Sequence, residues 1–183
     1  MPYHSCTHAA DVLQVVHYLL KTCKLQKLLT DLQCLAMIFS AIIHDLGHNG
    51  RTNAFLRVTE DPLALRYNDI SIQEAGHVAK AFEIMHANGS KLDIFAGLPL
   101  ADHAEIRKIA IDCVLGTDME LHNEHTSEFQ HVLDNIPTDR NEWIDIGMGA
   151  SELKVPNTLR SALFPLCRQP RPKYGTGGQQ ASI

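Results

Sequence analysis

The sequence lacks an apolar run long enough to cross a bilayer. Its longest run, residues 34–43, includes Ser40 and is about half the length of the roughly 20 residues that a membrane-spanning helix needs. It also lacks an excess of positive charge, because 21 acidic residues against 16 basic ones leave a net charge of −5. These two absences argue against a membrane span and against a nucleic-acid partner.

Paired cysteines are missing as well. The five cysteines are odd in number, form no CxxC motif and follow no signal peptide, so we expect a reduced, cytoplasmic compartment. No alternating strand pattern and no internal repeat is present either. The hydrophobic residues, 45% of the chain, are numerous enough to build a sizeable core.

Apolar residues instead recur at helical spacing, which predicts an all-α fold. One helix is expected over residues 9–22, and a second begins with Thr30 or Asp31 as its cap and ends just before His44. Residues 53–59 suit one or two helical turns, and Asp61-Pro62 suits a new helix start. Longer helices are expected over 71–87 and over 102–133, the latter interrupted near Gly116.

The most informative motif is His44-Asp45-Leu46-Gly47-His48, directly after the long apolar run. A hard carboxylate beside a neutral imidazole suits zinc, manganese or magnesium. A metal with an open coordination position turns bound water into a nucleophile near neutral pH. The alternative is a solvated loop in which the histidine bonds a carbonyl and the aspartate caps a helix.

Three more blocks accompany this motif. His4 and His8 are four residues apart, on one face of any helix they share, although histidines at a helix start can also be incidental. Tyr67-Asn68-Asp69 precedes one predicted helix, and residues 116–119 read Gly-Thr-Asp-Met within another. The order and spacing of the blocks carry more information than any block alone.

Together the blocks resemble the catalytic domain of the cyclic nucleotide phosphodiesterases. That family's pattern reads Tyr-His-Asn, His-Ala-Ala, His-Asp-x-x-His, Tyr-Asn-Asp, a Glu-containing helix start and Ala-Thr-Asp-Met, and the match runs from about residue 2 to residue 129. The resemblance implies a multi-helix bundle of the HD or phosphodiesterase type, incomplete at both ends. It implies hydrolysis of 3′,5′-cyclic AMP or cyclic GMP to the 5′ monophosphate in signal transduction.

The resemblance also implies two divalent metal ions, zinc at the first site and magnesium or manganese at the second. His8, His44 and Asp45 match the ligands of the first ion, and Asp45 matches the bridge to the second. A hydroxide shared between the ions would be the nucleophile. His4 matches the general acid that protonates the departing 3′ oxygen, a role that suits an imidazole, whose ordinary pKa is about 6.5.

Two further sets of residues match family positions around these ions. The positions that hold metal-bound waters correspond to His48, Glu74, Thr117 and Asp118. The positions that line the substrate pocket correspond to Tyr3, Asn53 and Met119.

Several of these residues have a structural alternative. Ser71-x-x-Glu74 is a capping box, so Glu74 could bond back to the helix start. Thr117 or Asp118 could bond a carbonyl one turn earlier. Met119 at helical spacing is often a core residue.

The sequence departs from the family pattern near the metal motif. Gly47 stands where the family commonly has a second acid, and Gly116 replaces the alanine of Ala-Thr-Asp-Met. Ala75-Gly76 replaces Asn-His ahead of His77, which is as well explained as a satisfied core histidine as by a functional role.

The motifs that should follow are absent. The family completes its first metal site with a later aspartate and holds the purine with a later glutamine and phenylalanine, and none of these motifs occurs here. Two alternatives to an active phosphodiesterase therefore stand. One is a degenerate or truncated family member that binds a metal or a partner without turnover. The other is a different HD-type phosphohydrolase, which explains His44-Asp45 but not the remaining blocks.

The C-terminal part differs in composition, because no acid follows Glu152 and basic residues alternate with prolines. This composition predicts two parts: the N-terminal part of a phosphodiesterase catalytic domain over residues 1–135 and a divergent, partly disordered basic tail over residues 136–183. An incomplete core should also expose apolar faces of the helix over residues 32–43. We therefore expect self-association through that surface, or poor solubility, unless a partner covers it.

Overall fold

The computed structural model describes residues 3–87 and 91–134, which form α-helices and short 3-10 turns with no β-strand among them, as the all-α prediction requires. The expected tail over residues 136–183 lies outside the described residues. The helices in chain order are α1 (Cys6–Lys21), α2 (Asp31–Ile43), α3 (Asn53–Val58), α4 (Pro62–Tyr67), α5 (Ile72–His86), α6 (Leu100–Leu115) and α7 (His122–Asp134).

Helix α2 lies at the centre of the bundle, between α1 and α6. Ala36, Ser40 and Ala41 on α2 are fully buried, and their small side chains allow neighbouring helices to approach closely. The Ser40 hydroxyl donates to the carbonyl oxygen of Ala36 at 2.7 Å, so its burial leaves no donor unsatisfied. The core extends from α2 to an aromatic cluster in which the ring of Phe39 meets Phe82 and Phe95 edge to face.

The start of α2 confirms the predicted cap. Thr30 accepts a hydrogen bond from the backbone of Gln33, and the Gln33 side chain accepts one from the backbone of Thr30, both at 3.2 Å. The helix ends at Ile43, and His44 is its C-cap. The buried helix therefore places His44 and Asp45 at the edge of the core.

The predicted helix α4 is confirmed, with Asp61 as its cap and Pro62 in the first turn. The predicted capping box at Ser71 is wrong. Ser71 precedes α5 in the left-handed conformation with φ 41°, and its side chain makes no capping bond. Its hydroxyl is instead bonded to Asp118, 47 residues later in the chain.

The start of one further helix differs from expectation. Helix α1 begins at Cys6 rather than residue 9, so His4 precedes it and does not share a helix with His8. The interruption expected near Gly116 is confirmed, because α6 ends at Leu115 and a 3-10 turn, Met119–Leu121, separates it from α7. A 3-10 turn over Leu25–Leu28 was not expected. Within the described part of the chain, no helix combines the length and apolarity needed to cross a membrane.

Candidate metal centre and adjoining cleft

His44 is the most enclosed residue of the candidate centre, with 1% of its surface exposed. Its Nδ1 lies 3.0 Å from the carbonyl oxygen of Ala41. Because a carbonyl only accepts hydrogen bonds, Nδ1 carries a hydrogen, and in the neutral ring Nε2 therefore carries the lone pair. This is the tautomer that a metal-binding histidine needs, with its second nitrogen held by the backbone.

The lone pair of His44 faces two other predicted ligands. His44 Nε2 lies 3.2 Å from His8 Nε2, and Asp45 Oδ2 lies 3.1 Å from each of these nitrogens. The two rings are inclined by 59°, so their in-plane lone pairs can converge. Zinc with ligand distances of about 2.0–2.1 Å has tetrahedral edges of about 3.3–3.4 Å, so these three atoms fit one face of such a site.

A second group, formed by His4, His48 and Asp45, also brings its ligand atoms together. The rings of His4 and His48 are stacked with centroids 3.7 Å apart and planes 11° apart, so their lone pairs lie in nearly parallel planes. His48 Nδ1 accepts the Gly50 backbone N–H at 2.8 Å, which leaves the ring hydrogen on Nε2. This group fits a metal less well than the first. His48 is better placed to donate a hydrogen bond from Nε2.

His77 lies against the other oxygen of Asp45. Its Nδ1 donates to the carbonyl oxygen of Leu46 at 3.0 Å, and its Nε2 lies 3.9 Å from Asp45 Oδ1. That Nε2 is buried without a hydrogen-bond partner among the described residues, so the satisfied-core interpretation of His77 is wrong. Burial lowers the pKa of His77 to about 4, against the opposing attraction of the Asp45 carboxylate, and keeps the ring neutral.

Glu74 is buried and held by a helix start rather than by a capping box. Asn53, the first residue of α3, donates from Nδ2 to Glu74 Oε2 at 2.8 Å and accepts the Gln73 backbone N–H at 3.0 Å. One amide side chain therefore joins the beginnings of α3 and α5. It fixes the Glu74 carboxylate at the wall of the centre.

Thr117 and Asp118 follow the end of α6 and are 2% and 4% exposed. The Thr117 hydroxyl donates to the carbonyl oxygen of Val114 at 2.7 Å, as the structural alternative expected. Asp118 accepts the Ser71 hydroxyl on Oδ2 and the Glu120 backbone N–H on Oδ1. Both oxygens of Asp118 therefore have partners within the protein.

A cleft of about 350 Å³ opens beside the centre. Of the predicted site residues it is lined by His4, His48, Asn53, Glu74, Asp118 and Met119. Met119 is 57% exposed, which excludes the core interpretation of this residue. Tyr3 lies elsewhere, with its ring against His4 and His8 and its side chain in a different groove from Asn53 and Met119.

Sequence reasoning missed Gln73. It is 4% exposed, and its amide donates to Asn49 Oδ1 at 2.6 Å and to the Arg51 carbonyl oxygen at 3.0 Å. These bonds hold the loop that follows His48 against α5. The sequence offered one signal for this role: Gln73 is a polar residue between Ile72 and the predicted site residue Glu74.

The fold and the centre define the class of this protein. It is an all-helical bundle in which His44 and Asp45, at the end of α2, lie next to His8 on α1. These three residues form a group that could hold a metal ion. Residues 3–157 match the family described as 3′5′-cyclic nucleotide phosphodiesterase. The chain belongs to that family.

Individual relatives agree. The chain is 40% identical over 143 residues to the 3′,5′-cyclic-nucleotide phosphodiesterase regA of Dictyostelium discoideum, which covers 78% of this chain and 18% of that protein. It is 45% identical over 120 residues to the 3′,5′-cyclic-AMP phosphodiesterase 4C of Mus musculus, which covers 66% of this chain and 17% of that protein.

Solved structures show the same fold. The phosphodiesterase domain of the RhoPDE fusion protein from the choanoflagellate Salpingoeca rosetta aligns with a TM-score of 0.72 and 30% identity, over 91% of this chain and 49% of that one. The chain thus spans about half of this solved domain and less than a fifth of the two curated relatives. The family match reaches residue 157, beyond the last motif recognised in the sequence.

Proposed function

We propose that this chain hydrolyses 3′,5′-cyclic nucleotides to 5′ monophosphates in cyclic-nucleotide signalling and that it does so in the cytoplasm. The supporting observation is the convergence of His8, His44 and Asp45 within 3.2 Å of one another in a member of the phosphodiesterase family. Cyclic AMP is the first substrate to test, because the murine relative is named for it; cyclic GMP is the second.

Divalent metal ions fit this centre, and we propose zinc on His8, His44 and Asp45 with magnesium or manganese at a second site that shares Asp45. When bound, such ions supply an activated water as nucleophile and neutralise charge on the phosphoryl oxygens. Three observations support the fit: the Nε2 lone pair of His44, the inclined rings and the short contacts to Asp45.

His4 is the proposed proton donor to the departing 3′ oxygen. Its side chain is 19% exposed and lines the cleft. Its Nε2 lies 4.0 Å from Asp45 Oδ2. Stacking on His48 holds the ring in place in the lining of the cleft. A positioned imidazole can deliver a proton to a leaving alkoxide near neutral pH.

The remaining residues are proposed to order water and substrate. His48, with its ring hydrogen on Nε2, can donate to a water in the cleft, and the Glu74 carboxylate, fixed by Asn53, can accept from one. Thr117, buried directly before Asp118, is proposed to act in the same way. Met119 and Asn53 would contact the nucleotide, and Tyr3 would act from outside the cleft through its contact with His4.

The test combines metal analysis with turnover of both cyclic nucleotides by the purified chain. Asp45→Ala should lose bound metal and turnover, whereas His4→Ala should keep the metal and lose turnover by about 10²- to 10⁴-fold. His17→Ala is the matched control, because this histidine is exposed on α1 away from the centre. Metal content unchanged in Asp45→Ala would contradict the proposed centre.

A second candidate is a family member that binds a metal or a partner without turnover. Within residues 3–87 and 91–134, the favoured metal group has three protein ligands and no fourth. A catalytic site with three ligands keeps an open position, but three ligands alone also bind more weakly. Metal bound with Asp45 dependence and no hydrolysis would support this candidate. Hydrolysis lost in both Asp45→Ala and His4→Ala would exclude it.

A further inference from the structure

A buried hydrogen bond joins the turn before α5 to the 3-10 turn after α6. The Ser71 hydroxyl donates to Asp118 Oδ2 at 2.8 Å, and the two residues are 8% and 4% exposed. The other oxygen of Asp118 accepts the Glu120 backbone N–H at 2.9 Å. We call this pair, Ser71 and Asp118, the clamp.

The backbone around Ser71 is strained. Ser71 has φ 41°, in the left-handed region that residues other than glycine, asparagine and aspartate rarely adopt, and Asn68 and Asp69 lie in the same region at 52° and 63°. The conformation of Ser71 persists only where surrounding contacts hold it. The charge-assisted bond to Asp118 is a contact of that kind.

The clamp joins the two walls of the cleft. On one side, Glu74 lies three residues after Ser71 on α5 and faces the cleft together with Asn53. On the other side, Asp118 is followed directly by Met119, which is half exposed in the cleft. The Ser71–Asp118 distance therefore sets the separation of Glu74 from Met119.

We infer that Ser71 and Asp118 are positioning residues that hold the Met119 wall against α5 and thereby set the affinity for the cyclic nucleotide. This inference rests on the proposed function. It assigns Asp118 to protein contacts, because both of its oxygens already accept hydrogen bonds from the chain.

An exposed tie between the same two turns provides an internal comparison. Arg57 donates to the Asp69 carbonyl oxygen and to Glu120 Oε2, each at 3.1 Å, and the Arg57 and Glu120 side chains are 38% and 51% exposed. Exposed ion pairs contribute little, so this tie should matter far less than the buried clamp.

The first experiment compares Ser71→Ala with Ser71→Gly in the metal-loaded full chain. Both variants lose the hydroxyl, but glycine also relieves the left-handed strain and should give the more stable protein. KM should rise about five- to tenfold in both, with kcat changed less than about twofold, because the clamp contacts no reacting atom. Ser127→Ala, which removes an exposed hydroxyl on α7, and Arg57→Ala should leave KM within about twofold.

The second experiment tests the clamp by hydrogen exchange, which requires no turnover. Hydrogen exchange at the Glu120 amide, which is bonded to Asp118, should accelerate about tenfold in Ser71→Ala and remain unchanged in Ser127→Ala. Ser71→Ala and Asp118→Asn should also be non-additive in KM, because they break the same contact.

Unchanged exchange at Glu120, additive effects on KM, or a loss of stability with KM unaltered would each overturn the clamp. A wild-type chain that binds metal without turnover allows the same comparison with the dissociation constant of cyclic AMP in place of KM. A wild-type chain that binds neither metal nor cyclic nucleotide would refute the proposed function and the claim on affinity. The exchange rate at Glu120 would still decide whether Ser71 positions that segment.

Discussion

Nε2 of His77 lies 3.9 Å from Oδ1 of Asp45, whereas His8 and His44 face the other oxygen of that carboxylate. The hydrogen of His77 is on Nδ1, where the Leu46 carbonyl accepts it, so Nε2 presents a lone pair to the carboxylate. Imidazole nitrogens therefore face both oxygens of the Asp45 carboxylate. A carboxylate in these surroundings is better suited to binding a cation than to solvation by water.

His77 should make the metal-free protein less stable in mild acid. The pKa of His77 is about 4 in the folded protein and about 6.5 in the unfolded chain. Between these pH values His77 is protonated in the unfolded chain but not in the folded protein, which favours unfolding. This contribution to stability is complete above pH 6.5. It falls toward pH 4 by roughly 3 kcal/mol.

Urea unfolding of wild type and His77→Gln from pH 7.5 to pH 4, with a chelator present, measures this slope. The variant should show a shallower decline, and His17→Gln should follow the wild type because that ring is exposed. Parallel curves for wild type and His77→Gln would contradict the assigned burial effect.

Gly47 should resist substitution. It has φ 78°, and a Cβ added there would lie 2.5 Å from Lys80 Nζ, so alanine introduces backbone strain and displaces the lysine. We expect Gly47→Ala to lower the free energy of unfolding by about 1–2 kcal/mol. Gly97→Ala is the control, because nothing lies within 4 Å of its added Cβ, and it should be neutral or stabilising by up to about 1 kcal/mol.

The amide of Asn53 should be difficult to replace. In the wild type, Glu74 Oε2 accepts a hydrogen bond from Asn53 at 2.8 Å. Asn53→Asp replaces this donor with a second carboxylate and should cost about 2–3 kcal/mol of stability at pH 7. The loss should shrink near pH 4, where one carboxylate protonates. Thermal unfolding of Asn53→Asp and of exposed Asn123→Asp at both pH values provides the comparison. Equal effects of the two substitutions would argue against the buried bond.

Metal removal should destabilise the protein. A ligand that binds only the folded chain stabilises it by about 2.7 kcal/mol at one hundred times its dissociation constant. Addition of a chelator should therefore lower the thermal midpoint of wild type and of His17→Ala, but leave His44→Ala unchanged. A chelator-induced decrease of equal size in His44→Ala would place the metal elsewhere.

Self-association through α2 remains a prediction. Leu35 and Ile42 are seven residues apart on that helix and are 39% and 50% exposed, so they lie on one side of it. Leu35→Gln combined with Ile42→Gln should weaken association by about tenfold in light scattering over a concentration series. Val58→Gln, on α3, is the control. A monodisperse monomer in the wild type would refute the prediction.

Much of the fold could be predicted from local signals. The Thr30 cap, Pro62 in the first turn of α4 and the break near Gly116 all depend on residues within a few positions of one another. The position of Ser71 could not be predicted this way. Its spacing to Glu74 has the form of a capping box, but its hydroxyl donates instead to Asp118, 47 residues later in the chain. A tertiary contact there prevails over the local signal.

The sequence by itself determined the helical class, the family and the residue types of the metal centre, because helical periodicity, caps and short motifs are encoded in neighbouring positions. Only the tertiary structure decided which of those residues meet. His8 and His44 are 36 positions apart and come within 3.2 Å because α1 packs on α2. Tyr3 was excluded from the cleft, and Gln73 and Ser71 were added as supports. These outcomes depend on burial and on the geometry of packed helices, which no local pattern specifies.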